Sequence, residues 1–243
     1  MSRRGVVDLR QYTAHPGRRD VLIDIFDQYF VEGQEQVGMH IVGEFRDLED
    51  ADRFVWLRGF DDMPARQHAL EGFYYGPVWQ AHRETANATM ADSSDALLLR
   101  PVRCESGYPE YGSGRPVPDA EDSTVPTSVA ITVHHLADAV DQDAIAETFL
   151  SRAVPILSGA GAETIAVLVT DLSENNFPVL PLRQETVLVW IGRFADDGAH
   201  RRHRVALADS VEWQELSALL AQVSSGLPPQ ELRLRPTRRS QLR

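Results

Sequence analysis

The chain has 243 residues with 24 basic against 36 acidic side chains, a formal net charge of −12 and a pI near 5.1. That balance argues against a phosphate backbone or an anionic membrane surface as partner. The single Cys104 excludes an intramolecular disulfide and a thiolate metal cluster, and the absence of Lys excludes Schiff-base chemistry.

Length fits two modules of about 100 residues, and a 43% hydrophobic share supplies a core for each. An all-Arg basic set matches a high-GC bacterial coding bias. MSRRGVVDLR meets polar residues before an apolar leader could develop, and no run reaches the roughly 18 apolar residues of a membrane span. With one cysteine, this predicts a cytoplasmic protein.

The segment VVDLRQYT alternates from Val6 to Thr13, which predicts a strand. His15-Pro16-Gly17 breaks it, and Val21, Leu22, Ile25, Phe26, Tyr29 and Phe30 then fall on one helical stripe. MHIVGEF (Met39 to Phe45) and RFVWLRGF (Arg53 to Phe60) alternate again around an acidic turn and predict a hairpin. Asp61-Asp62 with Pro64 marks a helix start. That helix runs to about Phe73, resumes after Gly76-Pro77, and ALLLR (Ala96 to Arg100) closes the unit. The order strand, helix, strand, strand, helix, strand is the ferredoxin-like plan.

A Gly-, Pro- and acid-rich stretch follows, and the plan then repeats. Strands are expected at Val129–His135, Thr164–Thr170, Glu185–Phe194 and Glu231–Arg235, with helices at about Asp141–Leu157 and Ala199–Leu220. Trp79 follows Trp56 at the same interval as Trp213 follows Trp190, each second tryptophan precedes a Gln, and LLLRPV answers LRLRPT. These coincidences indicate an internal duplication. The second hairpin carries an insertion of about ten residues, ENNFPVLPLRQE. The expected domains are residues 1–103, a linker at 104–126, a second unit at 127–237 and an Arg-rich tail at 238–243, taken as solvated.

FVWLRGFDDMPARQHALEGFYYGPVW with ANATM and LLLRP, and NNFPVLPLR before VLVW, resemble the NIPSNAP family in its tandem bacterial form. The resemblance spans all but the linker and tail. It implies an α+β fold in which two tandem ferredoxin-like βαββαβ units pack sheet to sheet as an intrachain dimeric α/β barrel. Relatives by fold include cofactor-independent monooxygenases, polyketide cyclases, isomerases, haem-degrading oxygenases and chlorite dismutases, and fold alone assigns none of these reactions.

Strand alternation ranks the candidate site residues. The aliphatic face (Val7, Leu9, Met39, Ile41, Phe45, Val55, Leu57, Leu97, Leu99) is expected to meet the helices, leaving Asp8, Arg10, Tyr12, His40, Glu44, Trp56, Arg58 and Arg100 toward the barrel. Aligning Phe26 with Phe149 adds His135, Glu163 and Trp190 from the second unit. His40, Tyr12 and His135 are the acid/base candidates, with Arg58 stabilising anionic charge. Trp56, Arg10, Glu44, Glu163, Trp190 and Arg100 are the substrate-binding candidates. Each has a plainer role: paired Arg and acids, a packed tyrosine, and tryptophans that mark the duplicated scaffold.

His134 and His135 point to opposite faces and cannot share an ion, and His200 with His203 lies in strongly cationic HRRHR. No metal site and no cofactor are therefore expected, and nothing in the spacing asks for haem. The expectation is a cofactor-independent small-molecule enzyme carrying out oxygenation, isomerisation or cyclisation of an aromatic or polyketide-like metabolite. The alternative is a non-catalytic ligand-binding or protein-interaction module. Neither nucleic acid nor membrane is an expected partner, and a homodimer of such barrels is compatible with the sequence.

Overall fold

Period-two alternation becomes strand and 3.6-residue stripes become helix throughout a computed structural model that describes residues 5–108, 114–118 and 126–243. The first unit runs β1 (Val6–Ala14), α1 (Arg19–Ile25), a π turn at Phe26–Phe30, α2 (Val31–Glu35), β2 (His40–Asp47), β3 (Arg53–Phe60), α3 (Met63–Tyr74), α4 (Pro77–Asn87) and β4 (Met90–Pro101). The second runs β5 (Ser128–His135), α5 (Gln142–Thr148), a π turn at Phe149–Ala153, α6 (Val154–Gly159), β6 (Glu163–Thr170), β7 (Val187–Phe194), α7 (Asp197–Ala208), α8 (Val211–Gln222) and β8 (Gln230–Pro236). Caps fix the helix starts: Asp62 accepts from the Ala65 N–H at 2.8 Å, and Asp196 from that of Ala199 at 2.6 Å. Ser210 caps α8, so the long helix expected over 199–220 is two helices meeting at Asp209-Ser210.

The eight strands close into one antiparallel barrel in the order β1-β3-β2-β8-β5-β7-β6-β4. Each unit contributes four neighbouring strands, and two seams join the units: Arg46 opposite Arg235 on β2 and β8, and Arg100 opposite Val169 on β4 and β6. This is the α+β fold of two ferredoxin-like sheets facing each other within one chain. Residues 109–113 and 119–125, which make up much of the expected linker, lie outside the described residues.

Except at Met39 and Ile41, which meet the helices as expected, the two faces of the sheet are the reverse of the expectation. Val7, Leu9, Val55, Leu57, Leu97 and Leu99 interdigitate with Val129, Ile131, Val133, Val189, Ile191 and Leu234 inside the barrel, all essentially inaccessible to solvent. Asp8, Arg10, Tyr12, Trp56 and Arg58 therefore face the helices. The reason is volume: an eight-stranded barrel is only wide enough to be filled by side chains, so compact aliphatic residues go inside. Large and charged groups take the deeper space between sheet and helices. A bulge in β2 between Ile41 and Gly43 changes parity along that strand, so Met39 and Ile41 join the helix-side core while Phe45 enters the barrel. The same bulge recurs in β6 between Thr164 and Ala166.

The Arg-rich end is not a solvated tail. Thr237, Arg239, Ser240 and Leu242 are buried, and Leu242 packs into the barrel core. Arg239 pairs with Glu32, and Arg238 with Asp27 at 3.2 Å. The insertion of the second hairpin also leaves its own unit. Phe177 lies among the helix-side core of the first unit, stacked on Tyr74 at 5.7 Å.

Candidate functional site

The pairing registers align the two units residue by residue. Val6 opposes Phe60 as Ser128 opposes Phe194, so Asp8, Arg10 and Tyr12 correspond to Ala130, Thr132 and His134. On the third strands Trp56 corresponds to Trp190 and Arg58 to Gly192. The capped helices put Arg66 opposite His200 and Tyr74 opposite Ala208. Where the first unit places charged or large side chains between sheet and helices, the second places small ones, and a cavity results.

That cavity has a volume of about 880 Å³ and lies between β5, β7 and β8 on one side and α7 and α8 on the other. Trp190, Trp213, Phe149, Leu157, Leu207 and Leu220 form apolar walls, and His134, His200 and His203 reach it from the strand and the helix. Burial, followed by the neighbouring His135, pushes His134 down to about 4. Burial, then Arg233, His203 and Arg204, brings His200 to about 4, and burial also lowers His203. All three are thus neutral at physiological pH. His200 stacks on Phe194 at 4.4 Å with its Nδ1 3.3 Å from the Ser128 hydroxyl. His203 Nδ1 lies 3.2 Å from the Ala160 carbonyl, which only accepts, so that nitrogen carries the proton and Nε2 keeps a lone pair.

In the first unit the same space holds an ion-paired network. Asp8, Arg10, Arg58 and Arg66 are all fully buried. Asp8 accepts from Arg58 Nε at 2.9 Å and from Arg66 Nε at 3.0 Å. Burial would raise the Asp8 pKa, but Arg58, Arg66 and Arg10 together hold it below the usual carboxylate range. Arg58 also donates to Gln34 at 3.1 Å, Arg10 Nε to the Tyr12 hydroxyl at 3.0 Å, and Arg66 to Asn176 of the insertion at 2.8 Å. Burial raises the Tyr12 pKa, so its hydroxyl stays protonated. A smaller cleft of about 400 Å³ opens beside the network, lined by Tyr12, Phe26, Phe30, Gln34, Phe73, Tyr74, Trp79 and Ser93 and covered by Val179 and Leu180 of the insertion.

The structure brings together four of the expected site residues, Arg10, Tyr12, Trp56 and Arg58, with Trp56 and Tyr12 edge to face at 5.6 Å. It puts them on the helix side of the sheet. His40 is half-buried at the start of β2, opposite Gly59. His135 is one residue away from the true counterpart of Tyr12, because the loop between β5 and α5 is one residue longer than its equivalent. A one-residue slip reverses the face, so the His135 ring bonds Glu185 at 2.7 Å, while the residue still forms part of the cavity lining beside His134. Glu163 pairs with Arg193 at 2.7 Å, and Arg100 with Asp143 at 2.7 Å, both toward solvent. Trp190 lines the large cavity and donates to Thr164 at 3.1 Å.

Glu44 is fully buried 3.4 Å from Arg115, and burial with nearby Asp27 pushes it up to about 8. Strand-face reasoning passed over His134, and the cationic surroundings of His200 and His203 drew attention from their inward face. Arg66 and Tyr74 sit on a helix, where alternation gives no signal. Among the described residues no group of three or more His, Cys, Asp or Glu is arranged to hold a metal ion, and no helix is long and apolar enough to cross a membrane.

Fold and site together define an intrachain dimeric α/β barrel with one open and one filled helix-side pocket. An anthrone oxidase-like protein shares this fold with a TM-score of 0.63 at 13% identity, over 96% of this chain and 92% of that one. A candidate monooxygenase of Fusobacterium nucleatum matches with a TM-score of 0.57 at 9% identity, over 98% of this chain and 94% of that one. Similar solved structures also include a NIPSNAP family protein of Agrobacterium tumefaciens, 18% identical over 48% of this chain and 99% of that one, with a TM-score of 0.39. At these identities the likeness is one of fold. No family model matches the chain, and no curated protein matches it.

Proposed function

We propose that the protein is a tandem NIPSNAP-type enzyme that oxygenates a polycyclic aromatic ketone in the second-unit cavity without a cofactor. The observation that carries this reading is the cavity of about 880 Å³ with two tryptophans and three neutral histidines on its walls. Its size falls within the ~300–1,000 Å³ of small-molecule sites, and apolar walls with a few convergent polar groups are what such a ligand needs. The anthrone oxidase-like protein of the same fold motivates the choice of an anthrone as probe.

An anthrone carries an acidic ring methylene. His134, anchored on β5 and held neutral by burial, takes a proton from that carbon, and the resulting carbanion charge favours the imidazolium. The carbanion supplies its electron pair to dioxygen, and the peroxide anion takes back the proton held by His134, which returns to neutral. The hydroperoxide then loses water to give the quinone: one oxygen atom enters the carbonyl, the other leaves as water, and no external reductant is consumed. His203, with Nε2 free to accept, is placed to receive a phenolic hydrogen bond that orients the ring.

Anthrone under air, followed by oxygen uptake and quinone absorbance, tests the reading. Turnover is expected, with His134→Ala slowing it by about 10²-fold or more and His203→Ala mainly raising KM. In the free enzyme the kcat/KM profile should stay flat below neutrality and fall only near pH 4, where His134 protonates. Binding without oxygen uptake removes the enzymatic reading and leaves a ligand carrier. A Soret band in protein from its own host would replace cofactor-free chemistry with haem chemistry.

A further inference from the structure

Helix α7 carries an arginine where the duplicated plan has a core residue. Counting from the capping aspartates, Asp62 of α3 and Asp196 of α7, Arg204 stands at the position of Leu70, which is 0% exposed in the helix-side core of the first unit. With His200, His203 and Leu207 it forms the inward stripe of its helix, at i, i+3, i+4, i+7 spacing, and all four line the cavity of about 880 Å³. Unlike Leu70 it is exposed, so it stands where the cavity opens to water. An arginine so placed lays its aliphatic stem along an apolar wall and keeps its guanidinium at the opening.

The neighbouring guanidiniums are engaged. Arg233 of β8, which also lines the cavity, pairs with Glu49, and Arg235 with Asp197. Arg204 has no ion-pair or hydrogen-bond partner among the described residues, and Glu231, the carboxylate on the cavity wall, makes no ion pair with it. After burial, Arg233, His203 and Arg204 lower the His200 pKa, so both guanidiniums act on the same end of the cavity. We propose that the polycyclic ketone taken into this cavity carries a carboxylate, and that Arg204 holds it at the opening as a specificity-determining residue. The inference rests on the second-unit cavity being the substrate site, and adds the substrate's charge to that reading. A planar carboxylate accepts from a guanidinium through two parallel hydrogen bonds. At the opening it keeps part of its hydration, while the apolar rings behind it enter between the helices and β5. Fixing the acid at α7 also sets which end of the ring system meets His134 on the opposite wall.

Calorimetric titration of the full chain with anthraquinone-2-carboxylate, and in parallel with its uncharged carboxamide, tests the inference without turnover. The acid should bind about tenfold more tightly than the amide. Arg204→Leu, which places here the side chain that the first unit already carries, should weaken the acid about tenfold and leave the amide within about twofold, abolishing the preference. Arg202→Leu, on the outer face of the same helix, should leave the preference intact. Equal affinity for acid and amide, binding of neither, a preference that survives Arg204→Leu, or an equal loss in Arg202→Leu would each overturn the proposal. The two readings fail separately: acid preference without oxygen uptake removes only the oxygenation, and turnover of unsubstituted anthrone without acid preference removes only the role of Arg204.

Discussion

Glu44 shows how one residue takes on an unusual charge state through its neighbours' count. Asp27, Glu32, Glu35 and Glu44 meet three guanidiniums: Arg115 lies 2.8 Å from Glu35 and 3.4 Å from Glu44, Arg238 lies 3.2 Å from Asp27, and Arg239 pairs with Glu32. Four carboxylates against three cations leave one over, and the most buried keeps a proton, which is why Glu44 is pushed up to about 8. The consequence for stability has a definite sign. Between the usual carboxylate range, near 4.5, and about 8 the folded chain holds a proton that the unfolded chain releases, so stability falls as pH rises through that window. His134 and His200 act in a lower window with the opposite sign: neutral in the fold down to about 4 but charged when unfolded below 6.5, they withdraw stability as the solution becomes acid. Urea unfolding between pH 6.5 and 8 therefore reports on this buried carboxylate cluster, in which burial also raises Asp27, and the glutamate is singled out by substitution. Glu44→Gln should flatten the decline there and gain stability relative to wild type at pH 8, while coincident slopes would show that the proton resides elsewhere. Alternation placed Glu44 toward the barrel, but it lies opposite Trp56 on the helix side of the sheet. Its charge state was not legible either, because Arg238 and Arg239 come from a tail whose return is a long-range event.

At the scale of elements, the insertion before β7 does for the first unit what no local segment does. Asn175 and Asn176 accept from Arg66 at 3.3 and 2.8 Å, Asn176 donates to the Met63 carbonyl at 2.6 Å, and Phe177 packs against Tyr74 and Tyr75. Arg183 anchors its far end to Asp95 at 3.0 Å. A loop of this length without helix or strand is ordered because it buries an aromatic ring and satisfies a buried guanidinium. Phe177 is 3% exposed, and removing its ring leaves a void against Tyr74 that the loop can only partly close. Phe177→Ala should therefore cost about 3 kcal/mol in denaturant unfolding, the lower end for a buried Phe. A loss below about 0.5 kcal/mol, the level of an ordinary surface substitution, would mean that the loop is not docked. That an insertion exists was legible from comparing the two hairpins. Where it docks was not, since nothing in ENNFPVLPLRQE specifies Arg66, more than a hundred residues upstream.

The whole molecule is two copies of one plan bound by a core that belongs to neither. The order of elements and the duplication were legible because alternation and paired tryptophans are local signals. Which face of the sheet turns inward was not: both faces are buried, one by the opposite sheet and one by helices, so hydrophobicity cannot distinguish them. Side-chain volume does, with Val and Leu filling the barrel and Trp, Arg and His occupying the helix side. Arg58 against Gly192 was visible as an asymmetry, and it now has a physical meaning, one unit filled with charge and the other left hollow. The shared core has a further consequence. Val7, Leu9, Val55, Leu57, Leu97 and Leu99 face Val129, Ile131, Val133, Val189, Ile191 and Leu234 across the barrel, and each such side chain contributes about 1.5–3 kcal/mol when removed from water. Separating the units would expose one whole apolar face of each sheet and free both seam edges, β2–β8 and β4–β6. Residues 1–108 and 126–243 expressed alone should each aggregate or self-associate, as judged by light scattering. Co-expressed, they should recover a monodisperse complex with one copy of each and a single cooperative unfolding transition. A soluble monomer of either half with its own cooperative transition would show instead that a four-stranded sheet and its helices suffice, and that the barrel core adds contact rather than foldedness.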